Sequence, residues 1–330
     1  MSVSQNDDLD VLVIGAGMAG LTAAKELQTD GLRVAVVDKG RGVGGRMATR
    51  RFGDAVFDHG AQFITGRDNR FLKSLNDWET AGCAMEWCRG FDGNEDGHMR
   101  WRGAPGMTGI AKNIAAGLDV RLQHPITALK KRTGGWIAEI KDGVSLSARA
   151  LIQTAPVPQA LAMFDAGGWS PDAELRQRLQ VITYERCLVG MALLKDSSKL
   201  PPPGGVSVKD GGPIAWLADN HQKGISNHPA ITIQATPEYS LANWDRDRLE
   251  VAAELIEAAA PWIGCEVKEF KAHGWKFSRP IHTDECGCLV VNEAPAMIMA
   301  GDAFSAPRVE GAALSGWAAA GKLREMRGSS

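Results

Sequence analysis

From Asp10 to Ile14 the chain runs Asp-Val-Leu-Val-Ile, an apolar stretch too short for a helix, which predicts a strand buried on both faces. Gly15-Ala-Gly17-Met-Ala-Gly20 follows at once, and Leu21, Ala24 and Leu27 then share one helical face up to Gln28. Gly31 ends that helix. Arg33-Val-Ala-Val-Val37 predicts a second buried strand, closed by Asp38. The result is a strand–helix–strand unit, the first half of a parallel α/β sheet.

Beyond it the pattern is more broken. Phe52 to Phe63 mixes short apolar pairs with Asp58, His59 and Gly60. Phe71, Leu75 and Trp78 have helical spacing within a predicted helix over 70–81. Residues 82–106 read as a glycine-rich loop carrying Trp87 and Trp101, and 107–118 as a helix. Residues 120–122, 126–130 and 136–140 predict a small antiparallel meander, with Asp142-Gly143 as a hairpin turn. Leu151 to Ala155 is a further buried strand, stopped by Pro156 and Pro158. Between 180 and 236 strands are expected at 187–194, 214–218 and 231–235, interrupted by a Pro201–Gly205 loop. A helix over 246–260 places Leu249, Ala253, Ile256 and Ala260 on one side. Ala296 to Ala300 is a late buried strand, and 311–326 a final helix rich in Ala, Gly and Ser.

Composition narrows the function. With 37 Lys+Arg against 39 Asp+Glu, the net charge of −2 lacks the basic surplus of a nucleic-acid binder. No apolar run is long enough to span a bilayer, and no amphipathic docking segment stands out. The polar, acidic stretch from Met1 to Asp10 is unlike a signal peptide, and six cysteines in 330 residues are too sparse for a disulfide scaffold, so a cytoplasmic protein is expected. His282, Cys286 and Cys288 form an incomplete zinc pattern without a fourth ligand at suitable spacing, and ordinary thiols are the simpler reading.

The chemistry-bearing motif is Gly15-x-Gly17-x-x-Gly20 with Asp38 beyond it. Its glycines permit a tight turn, close approach of the backbone to a pyrophosphate and tight helix–strand packing. The acid accepts bonds from an adenosine ribose. After the acid the chain enters Gly40-Arg41-Gly42-Val-Gly44-Gly45-Arg46-Met47, too glycine-rich for a helix and suited to lie against a phosphate or a flat ring. Gly301-Asp302 follows a buried strand, where α/β folds bind ligands, and the small residues after Gly311 let the last helix approach a ring carbonyl.

These segments resemble the flavin-containing amine oxidase and p-hydroxybenzoate hydroxylase superfamily, and more narrowly bacterial renalase-type flavoproteins. Carrying the resemblance are 38–47, Asp58-His-Gly-Ala-Gln-Phe63, Trp101-Arg-Gly-Ala-Pro-Gly-Met107, Thr154-Ala-Pro156, Trp275-Lys-Phe-Ser-Arg-Pro280, Arg308-Val-Glu-Gly-Ala312 and Ser315-Gly316. It implies a Rossmann-like FAD-binding domain of the p-hydroxybenzoate hydroxylase type, with an inserted α+β substrate domain built on an antiparallel sheet. The flavin domain is expected over 1–75, 104–160 and 281–330, and the substrate domain over 76–103 and 161–280. Non-covalent FAD is the implied cofactor. Its implied contacts are Gly15, Gly17, Met18, Ala19, Gly20, Asp38, Lys39, Arg41, Gly45, Arg46, Met47, His59, Gly60, Ala61, Gln62, Thr154, Ala155, Pro156, Gly301, Asp302, Arg308, Val309, Glu310, Gly311 and Ala312. Candidates near the flavin or the substrate are Gln62, Arg70, Arg186, Asn220, Gln234 and Trp275.

Renalase-type enzymes oxidise misreduced nicotinamide dinucleotides that carry the hydride at ring carbon 2 or 6, with oxygen as acceptor and hydrogen peroxide as product. The partners implied here are therefore a small dinucleotide and oxygen. No catalytic base can be assembled from the sequence, and loss of hydride from a dihydropyridine needs none. The chain departs from its relatives at Gln234, where several carry His, at Ala303, where an aromatic is common, and at Asp219-Asn220, which replaces a more basic pair. A lysine near flavin N5 assists oxygen activation in amine oxidases, and Lys276 follows Trp275 here. Trp216, Trp244 and Trp275 read either as a ring-stacking pocket or as core packing. A true amine oxidase and a non-catalytic flavoprotein remain as alternatives. Only Tyr184 and Tyr239 are available to the aromatic cage the first of these expects.

Overall fold

The computed structural model describes residues 9–91, 94–141 and 143–328. Asp142 of the expected Asp142-Gly143 turn lies outside the described residues. The chain opens with β1 (Leu9–Ile14), α1 (Met18–Thr29), β2 (Val34–Val37), β3 (Thr49–Phe52), β4 (Ala55–Asp58) and α2 (Asn69–Thr80). Next come β5 (Ala84–Phe91), β6 (Asn94–Gly103), α3 (Thr108–Ala115), β7 (Asp119–Arg121), β8 (Ile126–Arg132), β9 (Gly135–Ile140) and β10 (Ser145–Gln153). The middle holds α4 (Val157–Ala166), α5 (Ala173–Gln180), β11 (Cys187–Leu194), β12 (Gly205–Ser207), β13 (Ile214–Asp219) and β14 (Ala230–Ala235). The rest is α6 (Pro237–Ala242), α7 (Arg248–Ala258), α8 (Ala260–Ile263), β15 (Val267–Trp275), β16 (Leu289–Asn292), β17 (Met297–Met299) and α9 (Val309–Gly328). They fall into two compact units, one of Met1–Gly45, Ile114–Thr183 and Pro280–Ser330, the other of Arg46–Asn113 and Tyr184–Arg279.

In the first unit the strand order is β16-β17-β10-β1-β2-β7, with β9 and then β8 continuing from β10. β1 pairs in parallel with both β2 and β10, β2 with β7, and β10 with β17. Val11, Leu12 and Val13 are wholly buried, as a central parallel strand covered on both faces requires. From β1 the chain passes outward through β2 on one side, while β10 leads to β17 on the other. The order therefore reverses between β1 and β10, where such sheets open a crevice for ligands. The expected antiparallel meander begins one strand later than the sequence indicates. Residues 119–121 pair in parallel with β2, because three residues carry no period that tells an edge strand of one kind from the other.

The second unit is an antiparallel sheet ordered β12-β13-β14-β11-β15, with hairpins β3–β4 and β5–β6. Phe52, Ala55 and Phe57 of the first hairpin pack with Val189, Met191 and Ala230 of the sheet. Residues 46–75 and 104–113, expected with the flavin domain, lie in this unit, and 161–183 and Pro280, expected with the substrate domain, lie in the first. There Phe164 and Trp136 make edge contacts with Trp169. Residues 82–106 are not a loop but largely the β5–β6 hairpin. Glycine and charged residues interrupt the alternation of both strands, so the period-two signal is missing, and Trp87, Phe91 and Trp101 supply the packing. α7 also turns a different face inward: Val251, Ala252, Leu255 and Ala259 are buried, whereas Leu249 is 54% exposed. The rival stripe fits the helical period equally well, and only the sheet selects between them.

Candidate functional site

In the first unit four loops leave the carboxyl ends of neighbouring parallel strands: 15–17 after β1, 38–45 after β2, 154–156 after β10 and 300–302 after β17. Gly15 has φ +108°, open to glycine, and a Cβ on Gly20 would stand 1.9 Å from the Gly15 carbonyl oxygen. Those requirements account for two of the three motif glycines. Gly17 differs, for a Cβ there would meet nothing within 4 Å. α1 begins just after it with no side-chain cap and no acidic residue in its first turn. Uncapped N–H groups, the positive end of the helix dipole and open space beside Gly17 together fit a pyrophosphate.

Asp38 stands where an adenosine ribose is expected. Its Oδ2 accepts the Ala16 N–H at 2.8 Å and its Oδ1 the Gly40 N–H at 2.6 Å. Each carboxylate oxygen keeps a lone pair for a sugar hydroxyl. Lys39 donates to Gln159 Oε1, and Arg41 is exposed. Thr154 donates through Oγ1 to the Ile14 carbonyl at 2.8 Å, tying the β10 loop to the β1 loop. The Ala155 N–H donates to Gln153 Oε1, while the buried Gln153 Nε2 has no partner among the described residues. The Gly301 N–H donates to Ser315 Oγ, which donates to the Gly287 carbonyl. Asp302 and Glu310 are buried nearby in sequence, and Gly311 leaves no room for a Cβ, which would lie 2.1 Å from the Ala306 carbonyl oxygen.

The second unit holds the Asp58–Gln62 segment in a rack of side-chain donors. The Asp58 carbonyl accepts Gln62 Nε2 at 2.8 Å and Thr232 Oγ1 at 3.0 Å. The His59 carbonyl accepts Trp275 Nε1 at 2.7 Å. The Gly60 carbonyl accepts Gln234 Nε2 at 2.7 Å and Gln62 Nε2 at 3.0 Å. Ala61 N–H donates to the Arg46 carbonyl, and a Cβ on Gly60 would sit 1.9 Å from that same oxygen. Arg46 itself donates to the Ser278 carbonyl, and Met47 is buried. His59 stacks on Trp275 with ring centroids 5.3 Å apart and meets His273 edge-on at 4.7 Å. Burial, then the neighbouring His273 and the Arg50 charge, push the His59 pKa down to about 3. Burial, then Arg50 and Arg248, push His273 to about 4. Both imidazoles are neutral at physiological pH, and neither is a useful base there.

Gln62, Gln234, Trp275 and Asn220 are thus brought together around residues 58–60, but Arg70 and Arg186 are not. Asn220 is wholly buried: its Oδ1 accepts the Asp58 N–H, and its Nδ2 donates to Ala230 O and Thr232 Oγ1. In this structure its polar atoms bond within the fold. Arg186 lies over the Trp244 ring at 4.9 Å, and Arg70 is exposed at the start of α2. Lys276 is exposed, its Nζ 5.6 Å from the Phe277 ring centre. Of the departures from the relatives, Ala303 and Asp219 are buried, and Asp219 accepts Ser198 Oγ and two backbone N–H groups. Sequence reasoning missed Lys223, whose side chain is wholly buried against Asp58, since nothing in the polar 219–228 stretch signals burial. Among the described residues, no group of three or more His, Cys, Asp or Glu converges as a metal site.

A Rossmann-like parallel sheet in one unit and an antiparallel sheet in the other define the class, and comparison with known proteins agrees. Residues 13–78 match the NAD(P)-binding Rossmann-like domain, and residues 77–324 match the flavin containing amine oxidoreductases. The chain belongs to the flavin containing amine oxidoreductase family. It is an FAD-dependent oxidoreductase. Mouse (Mus musculus) renalase is 24% identical over 319 residues, covering 89% of this chain and 93% of renalase. Among solved structures, putrescine oxidase bound to putrescine aligns with a TM-score of 0.72 at 13% identity, covering 97% of this chain and 99% of its own. A putative protoporphyrinogen oxidase from Exiguobacterium sp. 255-15 aligns with a TM-score of 0.75 at 12% identity, covering 98% and 100%. At those identities the structural likeness shows the fold alone.

Proposed function

We propose that this protein oxidises 2- or 6-dihydro isomers of NAD(P), with oxygen as the final acceptor. The carrying observation is the likeness to renalase along nearly the full length of both chains. The balance is one dihydronicotinamide, one oxygen and one proton giving NAD(P)+ and hydrogen peroxide. Bound FAD supplies the hydride acceptor and the route to oxygen. In this reading α1 and Asp38 hold the adenosine and pyrophosphate, while Arg46, His59, Gly60, Ala61 and Gln62 contact the flavin. The lowered basicity of His59 and His273, and the commitment of the Asp58 carboxylate to Lys223, leave the 58–62 segment without an effective base, which suits a substrate that needs none.

An amine oxidase is the second reading. Phe63, Trp87, Phe91 and Trp216 do form an aromatic cluster, with ring centroids 4.8 to 6.4 Å apart. Arg100 lies over Phe63 at 5.7 Å and over Phe91 at 5.0 Å. A resident guanidinium opposes a second cation on those faces, which supports the dinucleotide. Six free cysteines support a reducing, cytoplasmic setting. The deciding experiment is anaerobic mixing of the purified protein with each candidate. Rapid bleaching by a 2- or 6-dihydro isomer, with slow bleaching by ordinary 4-dihydro NADH and by amines, is expected. Rapid bleaching by a primary or secondary amine alone would transfer the assignment to the second reading.

A further inference from the structure

Asp58 and Lys223 form an ion pair at 2.8 Å with both side chains 0% exposed. Burying such a pair carries a desolvation cost that attraction often fails to offset, and well-packed apolar residues of like volume commonly give equal or better stability. Holding a segment in one geometry is a use that apolar packing serves less well. The surroundings show what is held. The Asp58 carboxylate also accepts Thr49 Oγ1 at 2.6 Å and the Met107 N–H at 2.9 Å, so its plane is set from three directions. Its own N–H and carbonyl are fixed by Asn220 and by Gln62 and Thr232.

The other end is anchored as firmly. Lys223 N–H donates to the Asp219 carbonyl in the turn after β13, and Asp219 braces that turn through the N–H groups of His221 and Gln222. The ammonium lies 5.2 Å from the Trp87 ring centre. Arg102 also acts on Lys223, as a like charge that the pairing with Asp58 must overcome. Immediately beyond Asp58 come His59, Gly60 and Gln62, whose carbonyl and amide bonds form the rack described above.

We propose that Lys223 is a positioning residue. Through Asp58 it fixes the carbonyls of residues 58–60, and so the orientation in which His59, Gly60 and Gln62 meet the flavin. The inference rests on the reading that this segment contacts the flavin. It names no contact between Lys223 and the cofactor.

The test uses the full-length protein, stripped of FAD and titrated back, and reads FAD affinity and the visible spectrum of the bound flavin. Lys223→Met keeps volume and removes the charge. It should retain its far-ultraviolet dichroism, bind FAD about tenfold more weakly and shift the visible bands, since a buried carboxylate has lost its partner. Thr232→Val removes a hydroxyl from the Asp58 carbonyl and should act in the same direction. The double variant should lose less than the sum of the two, because both act on one rack. Gly60→Ala reports on the segment itself and should alter both readouts. Parental affinity and spectrum in a folded Lys223→Met, with Gly60→Ala altered, overturn the positioning role while leaving the flavin reading in place. No change in any variant overturns both. Should Lys223→Met fail to fold, Thr232→Val decides, and parental values there overturn the inference.

Discussion

At Asp38, carboxylate chemistry and loop structure are joined in one side chain. Both oxygens accept backbone N–H groups, from Ala16 and Gly40, in addition to any sugar hydroxyl. Asp38→Ala should therefore weaken FAD binding by about tenfold to a hundredfold, from charge-assisted bonds of about 1.5–3 kcal/mol. Asp38→Asn should be no milder, because its amide would have to turn an NH2 toward one of two N–H donors. Titration of the apoproteins with FAD checks both, and parental affinity in either variant removes Asp38 from the ribose site. In the second unit, Asn220, a substrate-contact candidate from its sequence, spends its side chain on hydrogen bonds inside the fold, as Asp219 beside it does.

At the scale of elements, α7 shows how two stripes of one helix compete. Leu255 is wholly buried toward the sheet core, and Leu249 is exposed. Leu255→Ala should cost about 2–5 kcal/mol through the lost contacts and the cavity left behind. Leu249→Ala should change stability by no more than about 0.5 kcal/mol. Urea midpoints of the two variants are the measurement, and equal losses would mean that the helix packs by its other face. α1 presents a related lesson. Its uncapped first turn lowers local stability in the free chain and is what a pyrophosphate needs.

For the molecule as a whole, the buried imidazoles set an acid limit. In the unfolded chain His59 and His273 take up protons near pH 6.5, whereas in the fold they do so only near 3 and 4. Across that interval the unfolded state binds more protons, so stability is full above pH 6.5 and falls as pH falls toward 4. The melting temperature should drop between pH 7 and 5, and His59→Leu should flatten the profile; an unchanged slope would assign the loss to other groups. FAD should raise the melting temperature and be released by acid or heat. At a hundredfold excess over Kd its stabilisation is about 2.7 kcal/mol. Among the cysteines, Cys286 is exposed, yet partial burial of its thiol and then the Asp284 carboxylate beside it raise its pKa to about 11, and a protonated thiol is a poor nucleophile for a covalent flavin link. Flavin that stays with the acid-precipitated chain would contradict this.

The strand–helix–strand turn of the first unit could be placed from local spacing. Gly15, Gly17, Gly20 and Asp38 act within one strand–helix–strand unit, so their spacing along the chain nearly dictates their spacing in space. The late Gly301-Asp302 segment was legible for the same reason, since it follows a strand whose apolar run is unmistakable. Other features depend on contacts between segments far apart in the chain. Lys223 lies 165 residues from Asp58 in the chain, and no local pattern marks a lysine that will be buried. The face of α7 and the hairpin over 84–103 were likewise undetermined, because periodicity states which residues share a side and not which side meets a partner. The rack around residues 58–60 draws its donors from β14, β15 and the loop after β4, and those elements converge only when the antiparallel sheet has closed.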